Sequence, residues 1–288
     1  MSILVTGSSS FIGKHLITKF KQKNIKFIGI DSKKANSKNC FKINICDNKL
    51  HKKIKHKVKT IIHLAAISNS KDCEKDLINC YKSNILGTVN ILNFAKKKGI
   101  KKIIFASSEW VYGNKVNLNS LNRNLNLNKI SDNYSLSKIL CEKIINKSKF
   151  LMHVILRFGI IYGERKHGSA LESITSSYFR NSVVKVISKK SARSFIHVND
   201  IVDAIIKSLK IKKNSTLDIQ GPELVSVKQI LDLLIKKYPK KIKIRELSPN
   251  NYSIRKINYN SIRKLNWKPK IFVKEGINRI YRKHFSSL

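Results

Sequence analysis

The chain has 288 residues, of which 42% are hydrophobic, enough for the core of one large α/β domain or of one such domain with a small second lobe. No run approaches the roughly 20 apolar residues that a membrane-spanning helix needs, so no span is predicted. The N-terminus lacks the features of a signal peptide, and the cysteines match neither a zinc site nor a CxxC pair. We therefore expect a cytoplasmic protein with free thiols and no metal.

The charge is strongly positive, with 59 Lys and Arg against 17 Asp and Glu, for a formal net charge of +42. Such a field attracts polyanions, so a nucleic-acid role has to be weighed. The excess is mostly Lys, and it is spread along the whole chain beside abundant Asn and Ile instead of forming Arg clusters with interleaved aromatics. These three residue types share AT-rich codons, so biased genome composition accounts for part of the charge. We predict no specific nucleic-acid partner.

Short apolar runs alternate with helical patterns in the first half of the chain, which is typical of βαβ units around a parallel sheet. The predicted strands are residues 3–5, 25–30, 41–43, 60–64, 102–106 and 154–158. The predicted helices are residues 11–23, 76–98, 132–147, 202–209, 227–238 and 273–283, with a polar loop over 114–130. The pattern predicts a doubly wound parallel sheet followed by a small C-terminal α/β lobe.

A Gly/Ser-rich turn over residues 6–13 follows the first strand and opens the first helix. Gly7 and Gly13 permit a tight turn, and the helix N-terminus offers free N–H groups to a pyrophosphate. Ser10 stands where a middle glycine would be usual. The context predicts a Rossmann-type dinucleotide site, although a turn of this kind before a helix is often only a cap.

Asp31 closes the second strand about 20 residues after the turn, where a carboxylate accepts hydrogen bonds from the adenosine ribose. The same charge repels the additional phosphate of NADP. Lys33 and Lys34 follow closely and weaken that exclusion. The pattern therefore favours NAD and leaves NADP as an alternative.

The motif Tyr134-Ser-Leu-Ser-Lys138, with Ser108 upstream, resembles the extended short-chain dehydrogenases and, more narrowly, the NAD-dependent epimerase/dehydratase family, which includes UDP-glucose 4-epimerase. Further segments resemble the family in the same order along the chain. They are residues 61–66, 84–90, 106–113, 193–200 and 265–276.

The resemblance implies a domain of residues 1–163 that binds NAD and a lobe of residues 164–288 that binds a nucleotide sugar, with part of 195–222 packing back on the sheet. It also implies three sets of site residues. The implied catalytic residues are Ser108, Tyr134 and Lys138. The implied cofactor-binding residues are Gly7, Ser10, Phe11, Ile12, Gly13, Asp31, Asn44, Ile45, Leu64, Ala65, Ala66, Asn84, Tyr134 and Lys138. The implied substrate-binding residues are Ser108, Glu109, Arg193 and Arg255. A homodimer is the family expectation.

The chemistry explains this choice of residues. Oxidation of a sugar at C4 removes a hydroxyl proton, and a phenol accepts it readily only if its pKa of about 10 is lowered. Lys138 lies one helical turn after Tyr134, so its ammonium is expected to favour the tyrosinate, and Ser108 is expected to bond the reacting oxygen. Without the serine, a YxxxK pattern is usually two solvated helix residues.

Departures from the family pattern bear on the reaction. Trp110 follows Glu109 where 4,6-dehydratases have a second acid, which disfavours a dehydratase, although this Trp can equally be a packing residue. Asn44 replaces an Asp that faces the adenine, and Ile160 replaces an Asn with which epimerases contact the substrate. The leading hypothesis is a nucleotide-sugar 4-epimerase that oxidises C4 transiently. An NAD(P)H-dependent 4-ketoreductase of deoxysugar synthesis is the alternative, and a non-enzymatic Rossmann protein that binds nucleic acid is the remote one.

Overall fold

The computed structural model describes residues 2–33, 37–113, 130–165, 167–255 and 264–286. These described residues divide into two compact units. The first contains residues 2–33, 37–113, 130–157 and 204–217, and the second contains residues 158–165, 167–203, 218–255 and 264–286. The predicted polar loop lies, except for Ile130, outside the described residues.

The strands and helices alternate along the first half as the periodicity predicts. The strands are β1 Ser2–Thr6, β2 Phe27–Asp31, β3 Cys40–Lys42, β4 Val58–His63, β5 Lys102–Ser108, β6 Met152–Phe158, β7 Ile160–Tyr162, β8 Val183–Val186, β9 Ala192–Arg193, β10 Phe195–His197, β11 Ser215–Ile219, β12 Val225–Ser226, β13 Lys243–Glu246 and β14 Ile254–Arg255. The helices are α1 Phe11–Gln22, α2 Leu50–Lys53, α3 Ser70–Lys75, α4 Leu77–Tyr81, α5 Gly87–Lys97, α6 Asn133–Lys147, α7 Ala170–Arg180, α8 Val198–Ser208, α9 Val227–Lys237 and α10 Val273–His284. A π-helical segment, Lys82–Leu86, joins α4 to α5, and a 3₁₀ helix, Glu109–Tyr112, follows β5.

The central sheet of the described residues has seven strands in the order β11-β6-β5-β4-β1-β2-β3. The chain moves outward from β1 to β3 on one side and returns to β4 on the other, so the direction of winding reverses beside β1. Strands such as β5 are buried along their whole length, as parallel strands with helices on both faces must be. The predicted Rossmann-type doubly wound sheet is confirmed. In such sheets ligands bind at the carboxyl ends of the strands beside the reversal.

The helix predicted over residues 76–98 is divided into shorter pieces. Its start agrees with the prediction, since Asp76, at φ −145° and ψ 84°, accepts a hydrogen bond from the backbone N–H of Asn79 at 3.0 Å and is the N-cap of α4. The π-helical segment then adds a residue to the turn around Asn84, a distortion that is frequent at functional sites. The apolar periodicity does not reveal these breaks, because the same face stays buried through them.

The expectation of free thiols is wrong for Cys73 and Cys80, which form a disulfide with a Cα–Cα distance of 5.1 Å. The break at Asp76 lets the two short helices α3 and α4 turn both cysteines toward the same buried cluster. Cys40, Cys46 and Cys141 are free. Spacing alone cannot reveal such a pair, because a seven-residue separation along one continuous helix would place the sulfurs about two turns apart.

The second unit has its own apolar core, built from helices α7, α9 and α10 and from short strands. Its largest fully buried side chains include Tyr162, Tyr178 and Phe195. Strand β9 pairs with β12 on one side and with β14 on the other. Within the described residues, no helix has the length and apolar character that crossing a membrane requires.

Candidate active site

The turn after β1 is shaped by a glycine that no other residue could replace without strain. Gly7 has φ +69°, in the left-handed region, and a Cβ at this position would lie 2.8 Å from the backbone nitrogen of Ala65, which follows β4. A Cβ on Gly13 would collide with the carbonyl oxygen of Gly7. The turn therefore brings bare backbone to the end of the sheet, as a pyrophosphate site requires.

Ser10 explains why the missing middle glycine is tolerated. Its φ is −67°, so the position needs no positive φ, and its hydroxyl accepts a hydrogen bond from the backbone N–H of Gly13 at 3.0 Å. It is therefore the N-cap of α1. Phe11, Ile12 and Gly13 form the first turn of that helix and do not line the cleft described next. Their predicted contacts with the cofactor stay predictions.

A cleft of about 550 Å³ lies at the carboxyl ends of β1, β2 and β4, within the first unit. Its size is in the range of small-molecule sites, and its glycine turn and helix N-terminus suit a dinucleotide. Most of the predicted cofactor residues are brought together here. They are Gly7, Ser10, Asp31, Asn44, Ile45, Leu64, Ala65 and Ala66.

The carboxylate of Asp31 is held in place by the backbone around the cleft. One oxygen accepts a hydrogen bond from the N–H of Ser9 at 2.9 Å, and the other accepts one from the N–H of Lys33 at 2.9 Å. The negative charge is thereby fixed between the phosphate turn and the end of β2. Lys34 lies outside the described residues.

Asn84 has a different environment from the one predicted. It is buried and does not line the cleft; its side chain accepts a hydrogen bond from the N–H of Ile67 at 2.8 Å and donates to Ser137 Oγ at 2.9 Å. It therefore fastens a cleft-lining segment, which includes Ile67, to helix α6. Direct contact of Asn84 with a cofactor stays a prediction.

Ser108 and Tyr134 are brought together at the end of β5. Ser108 is the last residue of that strand, and its hydroxyl accepts a hydrogen bond from the N–H of Trp110 at 3.3 Å, which starts the 3₁₀ helix. Tyr134 is the second residue of α6, which Asp132 caps by accepting from the N–H of Ser135 at 2.9 Å. The Ser108 hydroxyl lies near enough to the Tyr134 phenol to act on its pKa.

The pKa of Tyr134 differs in direction from the expectation. Burial, with the charges of Asp132 and Glu109, raises it to about 12, and the nearby Ser108 hydroxyl opposes this increase. The expected lowering by Lys138 does not prevail, because the ring is only 7% exposed and desolvation penalises the tyrosinate.

Lys138 is directed along the back of Ser108 and Tyr134. Its ammonium donates a hydrogen bond to the carbonyl of Ala106 at 2.9 Å and lies 4.9 Å from the centre of the Phe105 ring and 6.0 Å from that of Tyr134. Burial lowers its pKa to about 8, while Cys141 and Glu142 act in the opposite direction. Lys138 is therefore a buried cation that titrates close to neutral pH.

Glu109 and Trp110 lie beside this pair. Glu109 is buried, and the indole of Trp110 packs on the cluster formed by Tyr134, Cys73 and Cys80. Trp110 is thus a packing residue, which was the alternative interpretation of this position. The disulfide that packs against Tyr134 is a feature for which the sequence carried no pattern.

Arg193 and Arg255 are register partners on the parallel strands β9 and β14, in the second unit. Arg193 donates hydrogen bonds to the carbonyl oxygen and the hydroxyl of Ser253 at 2.6 and 2.7 Å, and the Arg255 side chain is buried. Two neighbouring guanidinium groups suit a diphosphate, whose oxygens they can bond in pairs. Sequence separation conceals this neighbourhood, which only the strand pairing creates.

The two histidines of the resembling segments, His63 and His197, are buried. His63 lies between the hydroxyls of Thr6 and Thr88, at 2.7 and 3.1 Å, and burial lowers its pKa to about 3. His197 accepts a hydrogen bond from the N–H of Asn199 at 3.2 Å and has its other ring nitrogen 3.4 Å from Glu164. Within the described ranges, no group of three or more His, Cys, Asp or Glu is placed to hold a metal ion.

Comparison with known proteins gives a consistent picture. Residues 3–219 match the model of the NAD dependent epimerase/dehydratase family. A Methanocaldococcus jannaschii protein provisionally named UDP-glucose 4-epimerase is 31% identical, over 96% of each chain. The dTDP-4-dehydro-6-deoxyglucose reductase of Escherichia coli is 26% identical over 97% of this chain and 96% of its own. The UDP-glucose 4-epimerase of Thermotoga maritima, solved with UDP-glucose, shares the fold at a TM-score of 0.86 and 24% identity, over 100% of this chain and 99% of its own.

Proposed function

The chain belongs to the NAD-dependent epimerase/dehydratase family, and we propose that it is a nucleotide-sugar 4-epimerase that oxidises C4 transiently. The family confirms the predicted enzyme class and the predicted cofactor, NAD. One observation carries the proposal. Ser108, Tyr134 and Lys138 lie together at the end of β5 and the start of α6, in the same unit as a cleft whose turn fits a dinucleotide. Family membership also argues against the non-enzymatic alternative.

The residues of the first unit supply the acid–base chemistry. Tyr134 accepts the proton of the C4 hydroxyl and later returns it, while Ser108 holds the reacting oxygen by a hydrogen bond. When bound, NAD accepts and returns the hydride, and its positively charged nicotinamide favours the tyrosinate. Because Tyr134 has a pKa of about 12 with Ser108 and Lys138 in place and no NAD bound, the positive charge of the nicotinamide is needed to make it a base near neutral pH.

Binding is divided between two parts of the chain in this proposal. Residues 1–163 hold NAD, with Asp31 on the adenosine ribose, and residues 164–288 hold the nucleotide sugar, with Arg193 and Arg255 on the diphosphate. The location of Asp31 at the cleft and the adjacency of the two arginines support these roles. We also propose that the protein is a homodimer, as the family resemblance implies.

A 4-ketoreductase is the second candidate, and two observations favour it. The Escherichia coli reductase aligns over nearly the whole chain. Ile160, on β7, is apolar and packs against the core of the second unit, at the position where the family pattern has an amide for the sugar. A reductase needs no sugar rotation between two half-reactions, so it depends less on such an amide.

The two candidates differ in redox balance. An epimerase returns the hydride that it removes, so it interconverts a pair of UDP-hexoses with no added coenzyme, whereas a reductase consumes one reduced nicotinamide for each keto-sugar. We would incubate the protein with UDP-glucose, UDP-galactose and their N-acetyl forms and separate the products by chromatography. In parallel, the absorbance of NADH or NADPH would be followed with 4-keto-6-deoxy nucleotide sugars.

Isomerisation without added coenzyme, absent in Tyr134→Phe, is the expected result. No isomerisation of any of the four sugars, together with stoichiometric oxidation of the reduced nicotinamide, would decide for the reductase.

A further inference from the structure

A buried ion pair lies directly behind the catalytic groups of the first unit. Arg157, on β6, donates from Nε to Glu142 Oε1 at 3.0 Å and from Nη2 to Oε2 at 2.6 Å, and Glu142, on α6, is 1% exposed. Two parallel hydrogen bonds of this kind fix the orientation of a carboxylate closely. The proposed reaction uses neither residue.

Both ends of the pair reach the segment that carries Ser108. Ser107, the residue before it, donates a hydrogen bond from its hydroxyl to Glu142 Oε1 at 2.5 Å. Arg157 donates from Nη1 to the phenol oxygen of Tyr112, the last residue of the 3₁₀ helix that Ser108 caps. The pair thus holds this segment on both sides of Ser108.

Glu142 also lies one helical turn after Lys138, on the same face of α6. Its negative charge raises the pKa of Lys138 and so opposes the burial that lowers it. The helix that carries Tyr134 and Lys138 and the strand that ends in Ser108 therefore meet at one carboxylate.

We infer that Glu142, oriented by Arg157, is a positioning residue of the Ser108–Tyr134–Lys138 centre. It ties the serine strand to the tyrosine helix and keeps Lys138 positively charged. The inference rests on the proposed roles of these three residues. It goes beyond them because Glu142 is inferred to act through these residues, without contacting substrate or cofactor.

A purely structural role makes a different prediction. Buried ion pairs often contribute little net stability, and apolar residues of similar volume can replace them. An apolar replacement cannot supply the negative charge beside Lys138, however. The second unit provides a comparison, since Glu172 is likewise buried and accepts from Arg165 Nε at 2.7 Å, and its other partners are the backbone N–H groups of Gly163 and Ser169.

The sign of the effect follows from the charges around Lys138. The titratable and charged side chains that face it or its partners are Tyr134, Cys141 and Glu142 on α6, His63 on β4, Glu109 on the 3₁₀ helix and Arg157 on β6. His63 is neutral, because its pKa is about 3. Burial lowers the pKa of Lys138 and the Glu142 carboxylate raises it. Removal of the Glu142 charge should therefore lower the Lys138 pKa, so that Lys138 loses its proton at lower pH.

The test measures Lys138 directly. Protein labelled with carbon-13 at lysine Cε would be titrated by NMR, and the Lys138 resonance would be identified by its loss in Lys138→Met. We expect its pKa to fall from about 8 to about 7 in Glu142→Gln, because loss of a neighbouring opposite charge changes a pKa by roughly 1 or more. Glu142→Asp, which keeps the charge, should stay close to the parent protein.

Glu172→Gln is the matched control, since it also leaves an arginine without its buried carboxylate. It should lower the melting temperature and leave the Lys138 titration unchanged. If Glu142→Gln behaves in the same way, with a lower melting temperature and an unchanged Lys138 titration, Glu142 is only structural and the inference is wrong.

If Glu142→Gln does not fold, Glu142→Gln/Arg157→Met removes both buried charges; the Lys138 pKa should still fall, by less than in Glu142→Gln because a positive charge is lost as well, and an unchanged Lys138 titration would contradict the inference. Turnover gives a second measurement, with kcat at about pH 8 falling roughly 10-fold in Glu142→Gln and KM changing little. The NMR titration requires no substrate. An inactive protein in which Glu142→Gln still lowers the Lys138 pKa would contradict the proposed function and leave the electrostatic coupling intact.

Discussion

The first unit contains two sites that are built in opposite ways. The candidate cofactor cleft depends on close backbone packing, where the bare turn at Gly7 approaches Ala65 and the N-terminus of α1 opens nearby. The Tyr134 centre is made of buried side chains whose pKa values are shifted, upward for Tyr134 and downward for Lys138. The cleft therefore depends on steric fit, and the centre depends on a balance of charges.

The difference has a consequence for substitutions. A site that depends on backbone packing tolerates changes of side chain wherever the backbone can keep its path, and Ser10 in place of a glycine is such a change. A site made of buried ionisable groups does not, because each group sets the protonation of its neighbours. Four substitutions probe this contrast.

The largest effect is expected at the phenol. Tyr134→Phe should lower turnover by roughly 10²- to 10⁴-fold, because the proton acceptor is lost, and should leave NAD binding nearly unchanged. Turnover by chromatography and NAD binding by fluorescence titration measure both. Tyr81→Phe is a matched control, since Tyr81 donates to Asn133 at the start of the same helix at 2.6 Å. Retention of most activity in Tyr134→Phe would remove the catalytic assignment.

The next effect is expected at the turn. Gly7→Ala combines a positive φ with a Cβ 2.8 Å from Ala65, so we expect NAD affinity to fall by about 10- to 100-fold, which corresponds to roughly 1–3 kcal/mol of strain. Gly99→Ala separates the two causes, since Gly99 has φ +66° and open space where a Cβ would lie. It should lower the melting temperature but not NAD affinity. Equal NAD affinity in both variants would contradict the steric account of the cleft.

Asp31→Ala should have a smaller effect, of roughly 10-fold on NAD affinity, because one charged hydrogen-bond acceptor is lost. The preference for NAD over NADP should narrow at the same time. Asp31→Asn keeps an acceptor for the N–H of Ser9 and removes the charge. It therefore distinguishes the effect of this hydrogen bond from the repulsion between the carboxylate and the additional phosphate of NADP. Isothermal titration with both coenzymes measures this, and tighter binding of NADP by the parent protein would show that the role given to Asp31 is wrong.

The smallest effect concerns stability. Lys138 has a folded pKa of about 8 against an ordinary value of 10.5, so the unfolded chain binds the additional proton between these values and folding becomes more favourable as pH rises through them. The melting temperature of the parent relative to Lys138→Met should therefore rise by a few degrees from about pH 7 to about pH 10. A pH-independent difference would mean that the ammonium is not desolvated.

Much of the fold follows from local patterns. The strands and helices of the first half lie within a few residues of their predicted positions, because continuous apolar runs mark the buried strands and a 3.6-residue apolar period marks the helices. The glycine turn and Asp31 were likewise recognisable, since their positions at the ends of strands depend on neighbours close in sequence. The π-helical segment Lys82–Leu86 and the strand β11 were not recognised from these patterns.

The candidate site was predictable as a set of residues and only partly as an environment. Ser108, Tyr134 and Lys138 were identified from the YxxxK motif and its serine, and the structure brings the first two close together. The direction of the Tyr134 pKa was wrong, because burial by the Cys73–Cys80 cluster depends on contacts that no spacing reveals.

The sequence by itself determined where the chain forms strands, helices and the phosphate turn, because those depend on side-chain periodicity and on glycine at particular positions. Only the tertiary structure decided which distant groups share a dielectric environment. Glu142 and Arg157 are separated by 15 residues, and Arg193 and Arg255 by 62, yet each pair is adjacent in space. Charge interactions depend on distance and burial, which are properties of the folded chain.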